Sequence, residues 1–243
     1  MLCIKTKNSF LYKRQEIWFY NNEQIEFTDN DLFYQSFVLP SFMVQNTKEY
    51  ATHIIDLNKS EEYIFTQFRS TYKNYIRRTE KMNFEYKYLL KPNIPEVKSY
   101  IDSYKNFSLN KGNQGLLDYN RITKLVENNC FIITTSFLDT KEIIYHSYIA
   151  DAKERVRLLY SHHNVSFVDE QIRSCVSKMH HWKDILLFKS LGYKIYDLGG
   201  VDSVNTPGIA HFKTGFGGEP EKSFFFQKTA GIYGFINRIK SNK

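Results

Sequence analysis

The spacing of apolar residues predicts two long helices. Apolar side chains recur at every fourth position from Ile64 to Ile76. This is the period of a helix that buries one face, so we predict a helix over 60–81 with Asn58 or Ser60 as its cap. A second helix is predicted over 168–190. Its apolar positions fall on one side and are Val168, Ile172, Cys175, Val176, Met179, Trp182 and Ile185.

Strand patterns lie between these helices. Three apolar segments follow one another at 130–138, 142–150 and 156–162, and their linkers are short enough for antiparallel hairpins. The other predicted elements are a strand at 84–90, helices at 95–110 and 118–128 on either side of a KGNQG linker, and strands at 194–198 and 223–227. This order predicts an α+β fold in which helices pack on a mixed, largely antiparallel sheet, without the regular alternation of a Rossmann fold.

The first 57 residues are rich in strand patterns. The segment IWFYNNEQIEF predicts two short strands around an Asn-Asn turn, and ATHIIDL predicts another strand that ends at Asp56. The first helix follows at once. We therefore predict a strand-rich segment over 1–57 and a main domain over 58–243.

Charge and cysteine content narrow the class of protein. The net charge of +7 favours anionic partners such as nucleic acid, phosphorylated substrates or an acidic membrane surface. Three cysteines without paired spacing indicate neither a disulfide framework nor a zinc site. Because the sequence shows no signal peptide and no apolar run of transmembrane length, we expect a cytoplasmic protein with at most peripheral membrane contact.

Glycine is concentrated in one part of the sequence. Nine of the 11 glycines lie between Gly192 and Gly234. In GIAHFKTGFGG, residues 208–218, they surround Phe212 and Lys213. Because glycine permits sharp turns and close backbone approach, we predict a loop that presents one cation to a phosphate or an oxyanion. The alternative is a solvated loop lysine.

Two aspartates flank Gly199 and Gly200 in the segment YDLGGVD. Ligands gather beyond strand ends in open sheets, so Asp197 or Asp202 is a candidate base at such a site. In the alternative interpretation, the aspartates cap backbone amides in an ordinary turn.

Histidine supplies further candidates. His162 and His163 close the third hairpin strand, and either is a candidate general base. His180 and His181 are adjacent on the second long helix. Because neighbouring side chains point in different directions, they are not expected to form a metal pair, and no metal is predicted.

A row of basic residues follows the first helix. Arg69, Lys73, Arg77 and Lys81 are four positions apart and lie one position beside the apolar face. This placement predicts a phosphate-binding stripe at the edge of a groove. The alternative is a solvated face that improves solubility.

Two segments together resemble the FemABX-type branch of the GNAT acyltransferase superfamily. The segment IDLNKSEEYIFTQFRSTYKNYIRRTEK is similar to that family's basic helix, with Lys73, Asn74, Ile76, Arg77 and Arg78 in its pattern. The segment LGYKIYDLGGVDSVNTPGIAHFKTGFGGEP is similar to its closing signature of glycines, aromatics, aspartate and lysine.

The resemblance implies a GNAT-like fold and transfer of an acyl or aminoacyl group to an amine. It implies that Lys213, beside Phe212, stabilises negative charge at the transfer site. Our own candidates for the base are Asp197, Asp202 and His162. The residues that we assign to substrate binding are Lys73, Arg77, Arg78, Arg69, Tyr160, Gly199 and Gly200.

Members of the family usually have two GNAT-like halves. Residues 1–57 of this sequence are too short to form a whole second half. We expect an anionic donor, aminoacyl-tRNA or an acyl-CoA, and no tightly bound cofactor. The expected acceptor is an amine on a cell-envelope or polysaccharide precursor, linked to a nucleotide or to a lipid. The alternatives are an acetyl-CoA-dependent N-acetyltransferase acting on an amino sugar, and a non-catalytic module that binds RNA or lipid headgroups.

The donor preference can be tested directly. Acetyl-CoA enzymes of the superfamily cradle pyrophosphate with a glycine-rich loop before the long helix. The corresponding stretch, YSHHNVSFVDE, contains no glycine. We therefore predict weak or no binding of acetyl-CoA by isothermal titration calorimetry. Micromolar affinity would contradict this prediction and favour a conventional acetyltransferase.

Overall fold

The chain forms two compact units. The computed structural model describes residues 1–9, 12–42, 44–112 and 117–229. Unit 1 comprises Met1–Thr52 and Glu221–Lys243, and unit 2 comprises His53–Pro220. Unit 1 thus draws on both ends of the sequence, whereas we had divided the chain at residue 57. Residues 113–115 of the predicted KGNQG linker and Gly231 and Gly234 lie outside the described residues.

Unit 2 is built on a mixed sheet whose strands lie in the order β4, β9, β8, β7, β6 and β5. The strands are β4 (Gln45–Asp56, in unit 2 from His53), β5 (Phe84–Leu89), β6 (Phe131–Leu138), β7 (Lys141–Ala150), β8 (Arg155–His163) and β9 (Ile195–Val201). Neighbours from β5 to β8 pair in antiparallel fashion, which confirms the predicted hairpins, and β8 pairs with β9 in parallel.

Helices cover both faces of this sheet. They are α1 (Glu61–Thr66), α2 (Ser70–Thr79), α3 (Ile94–Asn110), α4 (Tyr119–Glu127), α5 (Glu170–Ser190) and α6 (Pro207–Thr214). On β7, Tyr148 packs against Phe188 of α5, whereas Ser147 accepts a hydrogen bond from Tyr100 of α3 at 2.8 Å. Successive strand residues point to opposite faces. The predicted α+β class is therefore confirmed.

The predicted apolar stripes form the core of unit 2, with one exception. Ile64, Phe68, Tyr72 and Ile76 are all buried. On α5, Cys175, Val176, Met179 and Ile185 are buried as well. Val168 was wrongly placed in this stripe. It is 83% exposed, because the helix begins only at Glu170 with Asp169 as its cap.

The helix predicted over 60–81 is two helices. Ser60 caps α1, and the chain leaves helical geometry between Thr66 and Ser70 before α2 begins. The break has a tertiary cause. The backbone N–H of Arg69 donates to the carbonyl of Gly215 at 2.9 Å, outside its own helix. The side-chain spacing continues through the break, which is why the sequence did not indicate it.

The predicted glycine-rich loop is wrong over 207–214, because these residues form helix α6. Pro207 occupies the first turn, where its missing N–H and fixed φ are tolerated. Ala210 is buried, and Gly215 ends the helix against the ring of Tyr72, where an added Cβ would lie 2.4 Å from the ring. Lys213 therefore sits on the last turn of a helix.

Unit 1 consists of strands β1 (Leu2–Ser9), β2 (Tyr12–Trp18), β3 (Asn30–Ser36) and β10 (Glu219–Thr229, in unit 1 from Glu221), in this order. Strands β1 and β2 are antiparallel, β2 and β3 are parallel, and β3 and β10 are antiparallel. The predicted hairpin in IWFYNNEQIEF is wrong, because residues 23–28 are not a strand. Phe33 and Phe226 stack at 4.2 Å in the core of this unit.

Gly218 offers a test of how tightly the turn after α6 packs. Its φ is +81°, and an added Cβ would lie 2.1 Å from the carbonyl oxygen of Ile54. Gly218→Ala should therefore lower the free energy of unfolding by about 2 kcal/mol or more. The matched control is Gly208→Ala, since nothing lies within 4 Å of a Cβ at Gly208. That variant should stay within about 1 kcal/mol of the wild type in urea denaturation. Equal stability of the two variants would contradict the close packing of Gly218 against the Ile54 carbonyl.

Candidate functional site

Strands β8 and β9 pair over only a short distance. Their parallel register runs from Arg155 opposite Ile195 to Arg157 opposite Asp197. Beyond these residues both strands continue, but β8 and β9 no longer pair with each other. We call residues 158–163 of β8 and 198–201 of β9 the wedge. Gly199 has a φ of +80°, and a Cβ there would lie 3.2 Å from the carbonyl oxygen of Leu158. Glycine thus permits the close approach of the two strands at the start of the wedge.

Asp197 holds the strands at the point where the wedge begins. Its carboxylate is fully buried and accepts hydrogen bonds from Arg155 at 2.9 Å and from Arg157 at 3.3 Å. It also accepts the backbone N–H of Gly199 at 2.7 Å. A carboxylate between two guanidinium groups is stabilised in its charged form. Asp197 therefore supports the site, and these contacts do not favour it as a base.

Lys213 reaches the wedge from the last turn of α6. Its ammonium donates to the carbonyl oxygen of Gly200 at 2.6 Å, which leaves two further N–H groups. Burial and, to a smaller extent, Arg157 lower the pKa of Lys213 to about 8, against an opposing effect of Asp197. The amine is thus mostly protonated at neutral pH, and its pKa lies only slightly above that pH. This is the behaviour expected of a group that delivers a charge or a proton.

Phe212 and Asp202 have structural contacts. The Phe212 ring packs against Tyr72, His181 and Phe216, and its carbonyl accepts the Tyr72 hydroxyl at 3.1 Å. Asp202 accepts two backbone N–H groups, from Val204 and Asn205, at 3.0 and 2.8 Å, in the turn that leads to α6. Asp202 therefore adopts the turn-capping role that we gave as its alternative.

His162 lies on the side of β8 that faces α3. It is buried, and its Nε2 is 3.0 Å from the hydroxyl of Ser103. Its ring stacks on Tyr145 at 4.6 Å. Burial, with smaller contributions from His146 and His163, lowers the pKa of His162 to about 3. Such a histidine stays neutral at pH 7 and is a weak base. Nearby, Tyr160 accepts a hydrogen bond from Arg121 at 2.8 Å.

The predicted basic stripe begins at the break between α1 and α2, because Arg69 is the N-cap of α2 and the other members follow it. Arg69 donates to the carbonyl of His211 and the hydroxyl of Thr214, both at 3.0 Å, and so fastens α6. Lys73 donates to the carbonyl of Thr66 at 3.1 Å. Arg77 and Lys81 are exposed, and the guanidinium of Arg77 lies 6.0 Å from the centre of the Phe65 ring. Arg78, beside the stripe, is exposed as well. Arg77 and Lys81 of the stripe, together with Arg78 beside it, are thus the basic residues best placed to meet an anion.

The fold matches solved structures although the sequence alone matches little. No protein-family model matches the sequence, and no curated protein matches it either. FemX superposes with a TM-score of 0.57 at 12% identity, over 72% of this chain and 61% of FemX. The C-terminal domain of a putative lysylphosphatidylglycerol synthetase from Agrobacterium fabrum gives a TM-score of 0.55 at 11% identity, over 88% of this chain and 72% of that one. L-PGS from Bacillus licheniformis gives 0.53 at 10% identity, over 81% and 67%.

The fold is FemX-like. This confirms the fold that the resemblance of the two sequence segments implied. The chain spans less than two thirds of the length of FemX. Among the described residues, no helix is both long and apolar enough to cross a membrane.

One residue of the FemX-like domain that sequence reasoning missed is Lys178. Its side chain is 8% exposed, and its ammonium lies over the rings of Tyr72, Tyr75 and Phe212 at 5.2, 5.6 and 4.9 Å. It donates to Ser174 at 2.7 Å, and burial lowers its pKa. A lysine on the apolar side of α5, one residue before Met179, was the available signal. A groove of about 350 Å³ opens beside it, lined by Phe107, Ser161, His163, Arg173, Ser177 and Lys178.

Sequence reasoning also missed a buried polar cluster between β7 and α5. His146, His180, His181 and Asp184 are each at most 2% exposed. The two adjacent histidines point differently, as predicted: His180 contacts Thr134 and Ser136 at 2.7 and 2.8 Å, and His181 contacts Tyr196 at 2.8 Å. The signal was a histidine inside the apolar strand EIIYHSYIA. It became informative only when the fold set α5 against it.

The lowered pKa of Lys213 predicts a pH-dependent effect on stability. The folded state holds its proton less tightly than the unfolded state, so burial of the ammonium destabilises the fold below about pH 8. This cost disappears as the pH rises from about 8 towards the unfolded value. Lys213→Met should thus be more stable than the wild type by about 1 kcal/mol at pH 7, and the difference should shrink at pH 10. Urea denaturation measures both, with Lys105→Met, an exposed position on α3, as the control. A gain in stability that is independent of pH would contradict the prediction that burial of the Lys213 ammonium destabilises the fold.

Proposed function

We propose that this chain transfers an acyl or aminoacyl group from an activated donor to an amine, with the carbonyl of the donor placed in the wedge. One observation supports the proposal above the others. Strands β8 and β9 stop pairing beside Lys213, which is partly buried. The Lys213 ammonium bonds the Gly200 carbonyl and has two further N–H donors. A fixed cation in a partly buried site stabilises negative charge better than water does.

The reaction needs no covalent enzyme intermediate. The acceptor nitrogen attacks the carbonyl carbon of the donor, a C–N bond forms, and the bond from that carbon to the leaving oxygen or sulfur breaks. The Lys213 ammonium stabilises the developing oxyanion and gives a proton to the leaving group. The nitrogen releases its own proton to solvent, which then restores the charge on Lys213. The base is thus not assigned to Asp197, Asp202 or His162, whose side chains have the structural contacts described above.

Aminoacyl-tRNA is the donor that we favour, and an amine on a cell-envelope or polysaccharide precursor is the acceptor. Arg77 and Arg78 are exposed on α2 and can meet phosphates. FemX and a lysylphosphatidylglycerol synthetase domain share the fold, which supports this donor by likeness of fold.

Donor and acceptor can be tested together. The purified chain is incubated with a pool of tRNA charged with labelled amino acids or with labelled acetyl-CoA. Each donor is combined with an amino-sugar nucleotide or with a lysine-containing precursor peptide. We expect label to move from the aminoacyl-tRNA pool into a base-stable amide. Transfer only from acetyl-CoA would favour the acetyltransferase alternative. Binding of tRNA without turnover with any acceptor would contradict the proposal and favour a non-catalytic module.

Lys213 carries the proposed chemistry, so its removal should lower turnover rather than affinity. Single electrostatic donors of this kind are worth on the order of a hundredfold in rate. Lys213→Ala should lose about this much activity in single-turnover assays and remain folded. Lys213→Arg should recover only part of it, because a guanidinium fork cannot replace a point charge. Wild-type turnover should also fall as the pH rises through about 8.

The matched control is Lys105→Ala, which removes an exposed lysine on α3 and should leave turnover unchanged. Unchanged turnover in Lys213→Ala would remove Lys213 from the mechanism.

A further inference from the structure

Lys178 on α5 is a buried cation without an acidic partner among the described residues. Its side chain is 8% exposed, and its ammonium donates to the Ser174 hydroxyl at 2.7 Å. Burial lowers its pKa, and the opposing effect comes from Cys175 rather than from a carboxylate. The aromatic rings around the ammonium offset part of the cost of burial, but they leave the charge itself in place. A buried lysine in this setting suits an anionic ligand.

The ammonium borders a groove that is continuous with the wedge. The groove has a volume of about 350 Å³, and Ser161 of the wedge and Lys178 both line it. The Lys178 ammonium also lies 4.9 Å from the centre of the Phe212 ring, and Phe212 precedes Lys213 on α6. A donor whose carbonyl lies in the wedge can therefore extend its acyl group along the groove towards Lys178.

The other ionisable groups of the groove are already satisfied or uncharged. The Arg173 guanidinium donates to Glu170 at 3.0 Å and to the carbonyl of Phe167 at 3.1 Å. Burial is the main cause that lowers the pKa of His163 to about 4, so this ring is neutral at pH 7. Lys178 thus supplies the positive charge that remains in the described lining of the groove, and one such charge matches a ligand with one negative charge.

We infer that Lys178 selects a donor whose transferred group carries a carboxylate, as an aspartyl or a glutamyl group does. The inference rests on the proposed function. A short carbon chain separates the side-chain carboxylate of these groups from the reacting carbonyl, so the carbonyl can lie in the wedge and the carboxylate in the groove. The Lys178 ammonium then donates to a carboxylate oxygen in a charge-assisted hydrogen bond. A glutaminyl group has nearly the same shape but leaves the ammonium without a counter-charge. Lys178 determines specificity and takes no part in bond making.

Binding can be measured apart from turnover. The full chain is titrated with two amide analogues of an aminoacylated RNA end, 3′-(L-glutamylamino)-3′-deoxyadenosine and its L-glutaminyl counterpart, in a calorimeter. We expect the wild type to bind the glutamyl analogue about tenfold more tightly, because hydrogen bonds to charged groups are the stronger ones. Equal affinities would overturn the inference and leave the proposed function standing. Binding of neither analogue would contradict both the inference and the donor that we favour.

A variant locates the preference. Lys178→Met removes the charge and keeps an unbranched apolar chain among the rings. It should weaken the glutamyl analogue about tenfold and leave the glutaminyl analogue within about twofold. In turnover with glutamyl-tRNA, it should raise KM and leave kcat nearly unchanged, in contrast to Lys213→Ala.

The matched control is Lys183→Met, since Lys183 is half-buried on the same helix and does not line the groove. This variant should keep the preference for the glutamyl analogue. Circular dichroism checks the fold, and Lys178→Gln replaces Lys178→Met if that variant unfolds. A preference that persists without Lys178 would overturn the inference. Equal weakening of both analogues would overturn it too, because Lys178 would then bind the part of the donor that they share.

Discussion

A buried carboxylate between two guanidinium groups is the interaction on which the candidate site depends. Asp197 on β9 bonds Arg155 and Arg157 on β8 at the last position where these strands pair. Removing one partner of such a group leaves an uncompensated buried charge, which costs about 3–5 kcal/mol. The side chains of the two strands are thus bonded at this position, and the strands do not pair with each other beyond it. The wedge, the close approach at Gly199 and the contact of Lys213 with Gly200 all lie beyond Asp197, where the two strands no longer pair.

The helical setting of Lys213 adds a second electrostatic effect. The carbonyl groups at the end of a helix carry partial negative charge, which favours a cation on the last turn. Lys213 lies on the last turn of α6, and its ammonium also bonds the Gly200 carbonyl. Burial and Arg157 act in the opposite direction and lower its pKa. The ammonium is therefore held in place by dipoles, while burial and Arg157 keep its pKa only slightly above neutral pH.

The sequence was sufficient for the class of fold but not for the path of the backbone. The hairpins from β6 to β8 and the buried face from Ile64 to Ile76 were predicted because both depend on local spacing. The break before α2 was not, since it depends on a hydrogen bond to Gly215, far along the chain. Helix α6 was missed for a related reason. Its glycines and proline favour a loop locally, and burial of Ala210 outweighs that preference.

The site shows the same limit. Lys213 could be singled out because one cation among glycines and aromatics is conspicuous in a sequence. The partners of Asp197 could not, since Arg155 and Arg157 look like ordinary strand residues until β9 lies beside them. Lys178 and the cluster around Asp184 were hidden because each lies within an apolar pattern. Only the packing of α5 against β7 and α2 shows that their polar groups meet.

The bond between Arg69 and α6 has a consequence for the order of folding. These residues are 142 positions apart, and His53 meets the carbonyl of Gly217 across 164 positions. Contacts between such distant parts of a chain form only after the intervening chain has been brought together, at a cost in loop entropy. The position of Lys213 is set by these contacts. A growing or partly folded chain therefore holds the lysine but not the site, and the chemistry is confined to the finished domain.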